Sequence, residues 1–417
     1  MGYQQGLSGL AAASNDLDVI GNNIANANTT GFKESTAQFA DVYANTIATS
    51  VGNQIGLGAA LSTVQQDFSQ GTISTTGQAL NVAINGNGFF QMSNNGAVTY
   101  SRNGVFQLDK NGYITDAQGN DLMGYASDST GVINTAQTVP LRVPTTNIAP
   151  QTTQNITAQL NLNAQAATPT TTTFNASDST SYNYSTSVTT YDSLGGTQTI
   201  NMYFVKDATN AGQWDVYAGT PGNVSSVGTM TFDASGNLTA STDVTGTQTA
   251  NNGKMTVDVG TPGSTLADGS NAMAITLDFS GTTQYGSANG VNNLAQDGYA
   301  SGTLSNFSIG ADGTLTGNYS NGQTMSLGQI VLADFNNPNG LLNLGGNQFQ
   351  ETAASGVAQV STPGSTNHGT LTGGALEASN VDLTNQLVDL ITAQRNYQAN
   401  AQTIKTQQTV DQTLLQM

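Results

Sequence analysis

The two ends of this chain carry a constraint that its middle lacks. Apolar residues return there at alternating steps of three and four, the spacing that gathers them on one stripe of an α-helix. At the N-terminus the stripe is Tyr3, Leu7, Leu10, Ser14, Leu17, Gly21 and Ile24, widened by Ala13 and Ile20. It stops at "NANTTGF", where Asn28, Thr29 and Thr30 are weak helix formers and Gly31 suits a left-handed C-terminal cap. At the C-terminus Leu383, Leu387, Leu390, Tyr397, Ala401, Ile404 and Leu415 follow the same spacing, broadened by Val388 and Ile391 and interrupted by Gln394, Gln408 and Asp411. Ser379 and Asp382 predict a capping box at its start. A helix from 383 to 415 would be roughly 50 Å long at ~1.5 Å per residue, a rod longer than a small domain is wide. Such a rod needs a partner for its stripe. It can lie on its own globular core, or pair with the other terminus in a bundle completed by further copies of the chain, and the second arrangement is the expectation.

Between the ends the period changes. Residues 86 to 125, "GNGFFQMSNNGAVTYSRNGVFQLDKNGYITDAQGNDLMGY", set short apolar runs between "NNG", "RNG", "KNG" and "QGN", which is turn chemistry and predicts a β-meander. Gly86 and Gly88 do not make a dinucleotide fingerprint, because the third glycine is absent and Phe89 and Phe90 begin a strand. Residues 143 to 282 turn to Thr, Ser, Asn and Gly, yet "INMYFVKD", "WDVYAG", "TMTFD" and "MAITLDF" remain strand-like, which predicts a second all-β region. After it, "GTLSNFSIGADGTLTGNYS" and "GQIVLADF" resume the denser hairpin pattern, so the second region reads as an insertion into the first. The fold class expected is multidomain, with paired N- and C-terminal α-helices in a coiled-coil-like arrangement around two nested all-β domains. The boundaries expected are 1–30 with 375–417 for the helical assembly domain, 31–71 with 361–374 for a linking and contact region, 72–145 with 283–360 for the inner β domain, and 146–282 for the outer one.

Composition excludes whole classes of function. Eight Lys and Arg stand against 26 Asp and Glu, and the first positive charge is Lys33, so a nucleic acid or an acidic membrane has no electrostatic footing. Without Cys there are no disulfides or thiolate zinc sites, and His368 alone offers no second imidazole for a metal or a proton relay. Turns such as "DKNG" at Asp109, "DASG" at Asp233 and "ADG" at Asp312 lack the further oxygen ligands of calcium loops and read as β-turns. No catalytic residues, cofactor or metal are expected, and the chain is not expected to be an enzyme. The first residues lack the basic segment of a secretory signal, and no apolar run approaches the roughly 18 residues of a spanning helix.

At this point the residues carry a resemblance. "LDVIGNNIANANTTGFK" and "GALEASNVDLTNQLVDLITAQRNYQANAQTIKTQ" resemble the paired terminal motifs of the bacterial flagellar rod/hook axial protein family, and "GNGFF" with "YSRNGVFQLD" resembles their shared β-meander. The length, the inserted β region, "SVTTYDSLGG" through "MYFVKD", and "GQIVLADFNNPNGL" are nearer to the hook members than to the shorter rod members. The resemblance implies a subunit exported unfolded by the flagellar type III apparatus without a cleaved signal. It implies polymerisation beneath a cap into a curved, hollow, extracellular tube that carries torque as a universal joint. Implied partners are other copies of the chain, the rod, the hook cap, the hook–filament junction proteins and the export apparatus, with neither nucleic acid nor membrane insertion. By the same resemblance Leu7, Leu10, Leu17, Ile20 and Ile24, together with Leu383, Leu387, Leu390, Ile391, Tyr397 and Ile404, are the subunit-assembly residues lining the inner tube. Residues 25 to about 71 would add further subunit contacts. The alternatives are a distal rod protein and, in another class, an extracellular β-rich adhesin, which more often carries a signal peptide or a surface anchor.

Overall fold

The computed structural model describes residues 2–42, 56–244, 248–250, 253–260, 264–266, 268–365 and 367–415. Much of its β structure is set by one short local device. At Asp109, Asp116, Asp128, Asp192 and Asp233, a carboxylate Oδ1 accepts the N–H groups two and four residues on, at 2.7–3.0 Å. The glycine three residues on takes φ between +82° and +85°, a conformation that a β-carbon penalises. Each aspartate thus closes a hairpin turn with its own side chain. At "ADG" the Asp312 carboxylate likewise accepts the Thr314 N–H, at 3.1 Å.

The chain divides into two compact units. The first holds residues 1–145, 305–318 and 324–417, and the second holds 146–304 and 319–323. In the first unit, helix α1 spans Gly2–Ala25 and helix α2 spans Leu383–Leu415. Between them in sequence come β1, Ser35–Val42, and β2, Gly58–Gln66, an antiparallel pair with a bulge at Gln38/Phe39. Residues 43–55, part of the expected contact region, lie outside the described residues, as does the Leu415 side chain. A larger sheet runs in the order Thr314–Tyr319, Thr324–Ile330, Asp121–Ala126, Phe89–Asn94, Ala97–Ser101, Gln348–Gln350, Leu342–Gly345. Its meander turns at Asn95 and Gly96, with φ of 51° and 95°, as the "NNG" signal requires. Phe89, Tyr100, Ala333, Phe335 and Phe349 form a buried cluster. Phe68, just past β2, joins it edge-on to Phe89 and Phe349, with centroids 5.5 and 5.6 Å away.

Charge is buried where the segments of this unit meet. Lys33 Nζ lies 2.8 Å from Glu377 Oε1, and Arg102 Nη1 lies 3.3 Å from Glu377 Oε2, with side chains 0–3% exposed. Lys33 also donates to the Ser69 carbonyl at 2.6 Å, Arg102 to the Gly86 carbonyl at 2.9 Å, and the Gly71 N–H to Glu377 Oε1 at 2.9 Å. The Gly31 N–H donates to the Glu377 carbonyl. Arg102 stacks 5.4 Å from the centroid of the Phe89 ring. The Glu377 carboxylate therefore ties together Lys33, Gly71 and Arg102, and its backbone carbonyl holds Gly31.

Two local expectations are corrected here. Helix α1 ends at Ala25, six residues before Gly31. The φ of +69° at Gly31 instead permits close approach to the backbone of Arg102 and Asn103, where an added Cβ would come within 2.8 Å. At the other end α2 begins with Asp382 as its own cap, Oδ1 accepting the Thr384 N–H at 2.8 Å, while Ser379 receives only the Val381 N–H.

In the second unit two sheets share one core. One runs Lys254–Val259, Met273–Asp278, Asn155–Asn161, Gly290–Gln296; the other runs Tyr184–Tyr191, Thr197–Lys206, Gln213–Thr220, Asn223–Phe232, Leu238–Asp243, Gln248–Ala250. Alternate residues point inward, as in Ile156, Ala158 and Leu160 facing a core shared with Met202, Phe204 and Trp214. This is a β-sandwich. Its end lies beyond the expected border at 282, because Gly290–Gln296 pairs antiparallel with Asn155–Asn161. Residues 370–373, expected in the linking region, pair with Val82–Asn85.

Breaking the buried network should be far more damaging than breaking the exposed Lys254–Asp278 pair, whose atoms are 4.0 Å apart. Glu377→Gln is expected to destabilise the first unit by about 3–5 kcal/mol, since it strands two buried cations. For Lys254→Ala the expected loss is under about 1 kcal/mol. Urea unfolding of the two variants measures both.

Candidate assembly surface

Helix α1 packs between α2 and the β1–β2 hairpin. An added Cβ on Gly6 would meet Ile404, and one on Gly9 would meet Asn400, while Asn23 bonds Gln386. Rising numbers on α1 thus meet falling numbers on α2, so the two helices are antiparallel. The glycines let them approach closely. On the hairpin side, Gln5 donates to the Gly56 carbonyl at 2.7 Å, and Ser8 Oγ accepts the Ala59 N–H at 3.4 Å.

The seam between the helices mixes small, polar and aliphatic residues. On α1, Gly6, Ala13, Ile20 and Asn23 are buried; on α2, Gln386 and Ala393 are buried, and Leu390, Asn400, Ile404, Gln407 and Asp411 are half-buried. At its end nearest the β structure the seam closes through hydrogen bonds. Asn23 Nδ2 donates to the Ser35 carbonyl at 2.8 Å and to Gln386 Oε1 at 3.1 Å, and Asn23 Oδ1 accepts the Ser35 N–H at 3.0 Å. Gln386 Nε2 then donates to Glu34 Oε1 at 2.8 Å. Such a buried amide pair fixes register, because any slip leaves its groups unpaired.

The residues expected to form the assembly stripe divide between two faces. Ile20 is buried, Leu10, Leu17 and Ile24 are half-buried, and Leu7 is 56% exposed. On α2, Leu390 and Ile404 are half-buried in the seam, whereas Leu383, Leu387, Ile391 and Tyr397 are 47%, 45%, 50% and 37% exposed. The observed seam keeps 390, 401, 404 and 411 of the expected spacing, adds 400, and exchanges the exposed 383 and 387 for the buried 386 and 393. Leu383, Leu387 and Ile391, at steps of four, form an outward apolar ridge flanked by Val388. Exposed Phe39, Val42, Leu61 and Val64 add an apolar patch on the hairpin.

A groove of about 270 Å³ sits where α1, α2 and β1 meet, lined by Asp16, Glu34 and Asp389 among others. Burial raises the Asp16 carboxyl above its usual range, with Asp389 adding to it; burial raises Glu34 too, helped by Asp67 and Asp389. Burial pushes the Lys33 ammonium down, with Arg102 adding to the push and Glu377 opposing it.

Set against known proteins, the chain is matched along most of its length. Residues 4–33 match the family described as flagella basal body rod protein, 83–161 the flagellar hook protein FlgE/F/G D1 domain, 161–299 the flagellar basal body protein FlaE D2 domain, and 372–417 the flagellar basal body rod FlgEFG protein C-terminal. The flagellar hook protein FlgE of Escherichia coli K12 is 43% identical over 425 residues, with both chains covered completely. This chain belongs to the flagellar hook protein family. The Salmonella typhimurium hook protein is 44% identical over the full length of both chains, and that of Treponema pallidum 32% identical over 99% of this chain and 98% of the other. The fold is shared with the crystal structure of Helicobacter pylori flagellar hook protein FlgE2, with a TM-score of 0.50 and 13% identity over 73% of this chain and all of that one. The chain is a structural subunit of the bacterial flagellar hook. Among the described residues no helix is long and apolar enough to cross a membrane.

Residues that the sequence reading missed are the polar ones: Asn23, Lys33, Glu377 and Gln386. A signal for Lys33 was available, since it is the first cation in the chain and stands at the end of the N-terminal motif.

The acidic groove gives a dependence on pH. A carboxyl raised on folding contributes stability that is fully present below its unfolded value and is lost as pH rises through the folded one. Asp389→Asn removes a neighbour that raises both Asp16 and Glu34. Carbon-detected NMR titration should then show both carboxyls moving down toward the usual range, and the loss of helix-pair stability with rising pH should shrink.

Proposed function

We propose that the outward ridge of α2, with the exposed side of α1 and the β1–β2 hairpin, is where copies of this chain join into the inner wall of a curved, hollow tube. The observation that carries this is the ridge itself. Leu383, Leu387 and Ile391 point away from the seam that α1 already fills, and burying such residues against a neighbour contributes on the order of 25 cal/mol per Å² of apolar surface. Within this reading the first unit's β structure forms a middle layer and the sandwich an outer one. The tube transmits motor torque as a universal joint, stiff in torsion and soft in bending. The rod, the hook cap and the hook–filament junction proteins are its neighbours, and the type III apparatus exports the chain without a cleaved signal. The role is structural, with no catalytic step.

Leu387→Asp tests the reading sharply because Leu387 is exposed in the monomer. It should leave monomer stability within about 0.5 kcal/mol of the parent while abolishing filament growth seen by electron microscopy. Leu390→Asp should lower monomer stability as well, since Leu390 is half-buried in the seam, whereas Gln394→Asp should assemble nearly normally. Full assembly of the Leu387→Asp chain removes the ridge from the interface.

The outer layer has its own test. The Ile148 N–H donates to the Gly302 carbonyl at 2.9 Å, so the two ends of residues 146–304 lie side by side, and a short Gly/Ser joiner replacing that segment closes the gap at small entropic cost. Filaments of this deletion should form but be straight or irregular. An unchanged curve would remove the sandwich from the bending mechanism.

A further inference from the structure

Within the second unit, Asp192 is fully buried. Its Oδ1 is taken by the N–H groups of Leu194 and Gly196, at 2.9 and 2.8 Å. Its Oδ2 is buried too, and no N–H or O–H among the described residues reaches it. Gly196 keeps the space beside that oxygen open, because an added Cβ would lie 2.5 Å from it. A second carboxyl, that of exposed Asp268, stands within hydrogen-bond reach of Asp192. Two carboxyl oxygens so close repel each other unless a cation or a shared proton lies between them.

The Ser270 hydroxyl and N–H donate to Asp268 Oδ1 at 2.7 and 3.0 Å, leaving Oδ2 turned toward the site. Asp192 receives the two N–H groups already described. Gln198, on the strand that follows the Asp192 turn, places its side-chain amide 3.4 Å from Asp268 Oδ2. Its amide oxygen and nitrogen exchange places by a half-turn, which would bring a third oxygen to the same point. No Lys or Arg among the described residues pairs with either aspartate, in a chain with 8 cationic residues and a net charge of −18.

We propose that Asp192, Asp268 and Gln198 hold a calcium ion. Asp192 forms the floor of the site, Asp268 and Gln198 form its mouth, and water completes the six to eight oxygens that calcium takes. A calcium ion tolerates this irregular, half-open set, whereas magnesium demands a near-ideal octahedron. The ion clamps the turn joining Tyr184–Tyr191 to Thr197–Lys206 onto the loop that leads into Met273–Asp278. It thereby pins one sheet of the sandwich to the other.

The test is titration calorimetry of the full-length monomer with calcium chloride at neutral pH, paired with thermal unfolding in calcium and in chelator. One saturable site is expected, with a dissociation constant on the order of 10⁻⁴–10⁻³ M, the range of extracellular calcium modules. Calcium should raise the unfolding midpoint of the sandwich, and both signals should vanish in Asp268→Asn and in Asp192→Asn. Asp268 is exposed, so its variant keeps the fold and reports binding alone. Asp233→Asn, in an equivalent turn with no facing carboxyl, should bind as the parent does. Binding that survives both Asp268→Asn and Asp192→Asn overturns the site. Absence of binding in the parent overturns it as well, and a midpoint that then rises with acidity would mean that a proton bridges the two carboxyls instead.

Discussion

Everything in the first unit leans on the carboxylate of Glu377. Placing two cations and one anion where water cannot reach them is unfavourable unless each charge finds partners at close range. Here those partners come from segments far apart in sequence: the Ser69 and Gly86 carbonyls, the Gly71 N–H, and Lys33 and Arg102 themselves. The network is intolerant by construction. A displaced segment leaves a buried charge unpaired, so both helices must leave the β structure at fixed places. The aromatic cluster beneath, with Arg102 stacked on Phe89, supplies the low-polarity floor that makes a misplaced charge so unfavourable.

Much of this architecture was legible in the residues because it is written in local chemistry. The start of α2, the Asn95–Gly96 hairpin and the aspartate turns each follow from residues acting on their own backbone. The division of the terminal stripe was not legible in that way. A period of three and four identifies a helical face, but residues 383 and 386 lie on adjoining flanks, and the pattern does not say which flank the chain keeps for itself. Close approach of Gly6 to Ile404 and of Gly9 to Asn400 at one end, and the Asn23–Gln386 hydrogen bond at the other, decide it. Likewise the border of the sandwich was misjudged because Gly290–Gln296 is polar and largely exposed. Its membership rests on pairing with a strand more than a hundred residues earlier, and no local signal announces such a partner.

The helix seam and the apolar ridge are two solutions to different problems. Inside one chain, the Asn23–Gln386–Glu34 hydrogen bonds are directional and set register. Outside it, the leucines of the ridge are non-directional and indifferent to small shifts. On the assembly proposed above, a subunit that keeps its own shape while its neighbours shift would benefit from specificity within and apolar contact without.

The span of the Glu377 network also sets an order of events in time. Lys33 and Glu377 are separated by 344 residues, and nearly the whole chain, sandwich included, lies in the loop they close. Closure of so long a loop is slow, since the search must be completed before its contacts reward it. No N-terminal fragment, however long, can finish the first unit until its last fifty residues are present. A chain threaded from its N-terminus would therefore travel with its two ends unlatched and lock only on arrival.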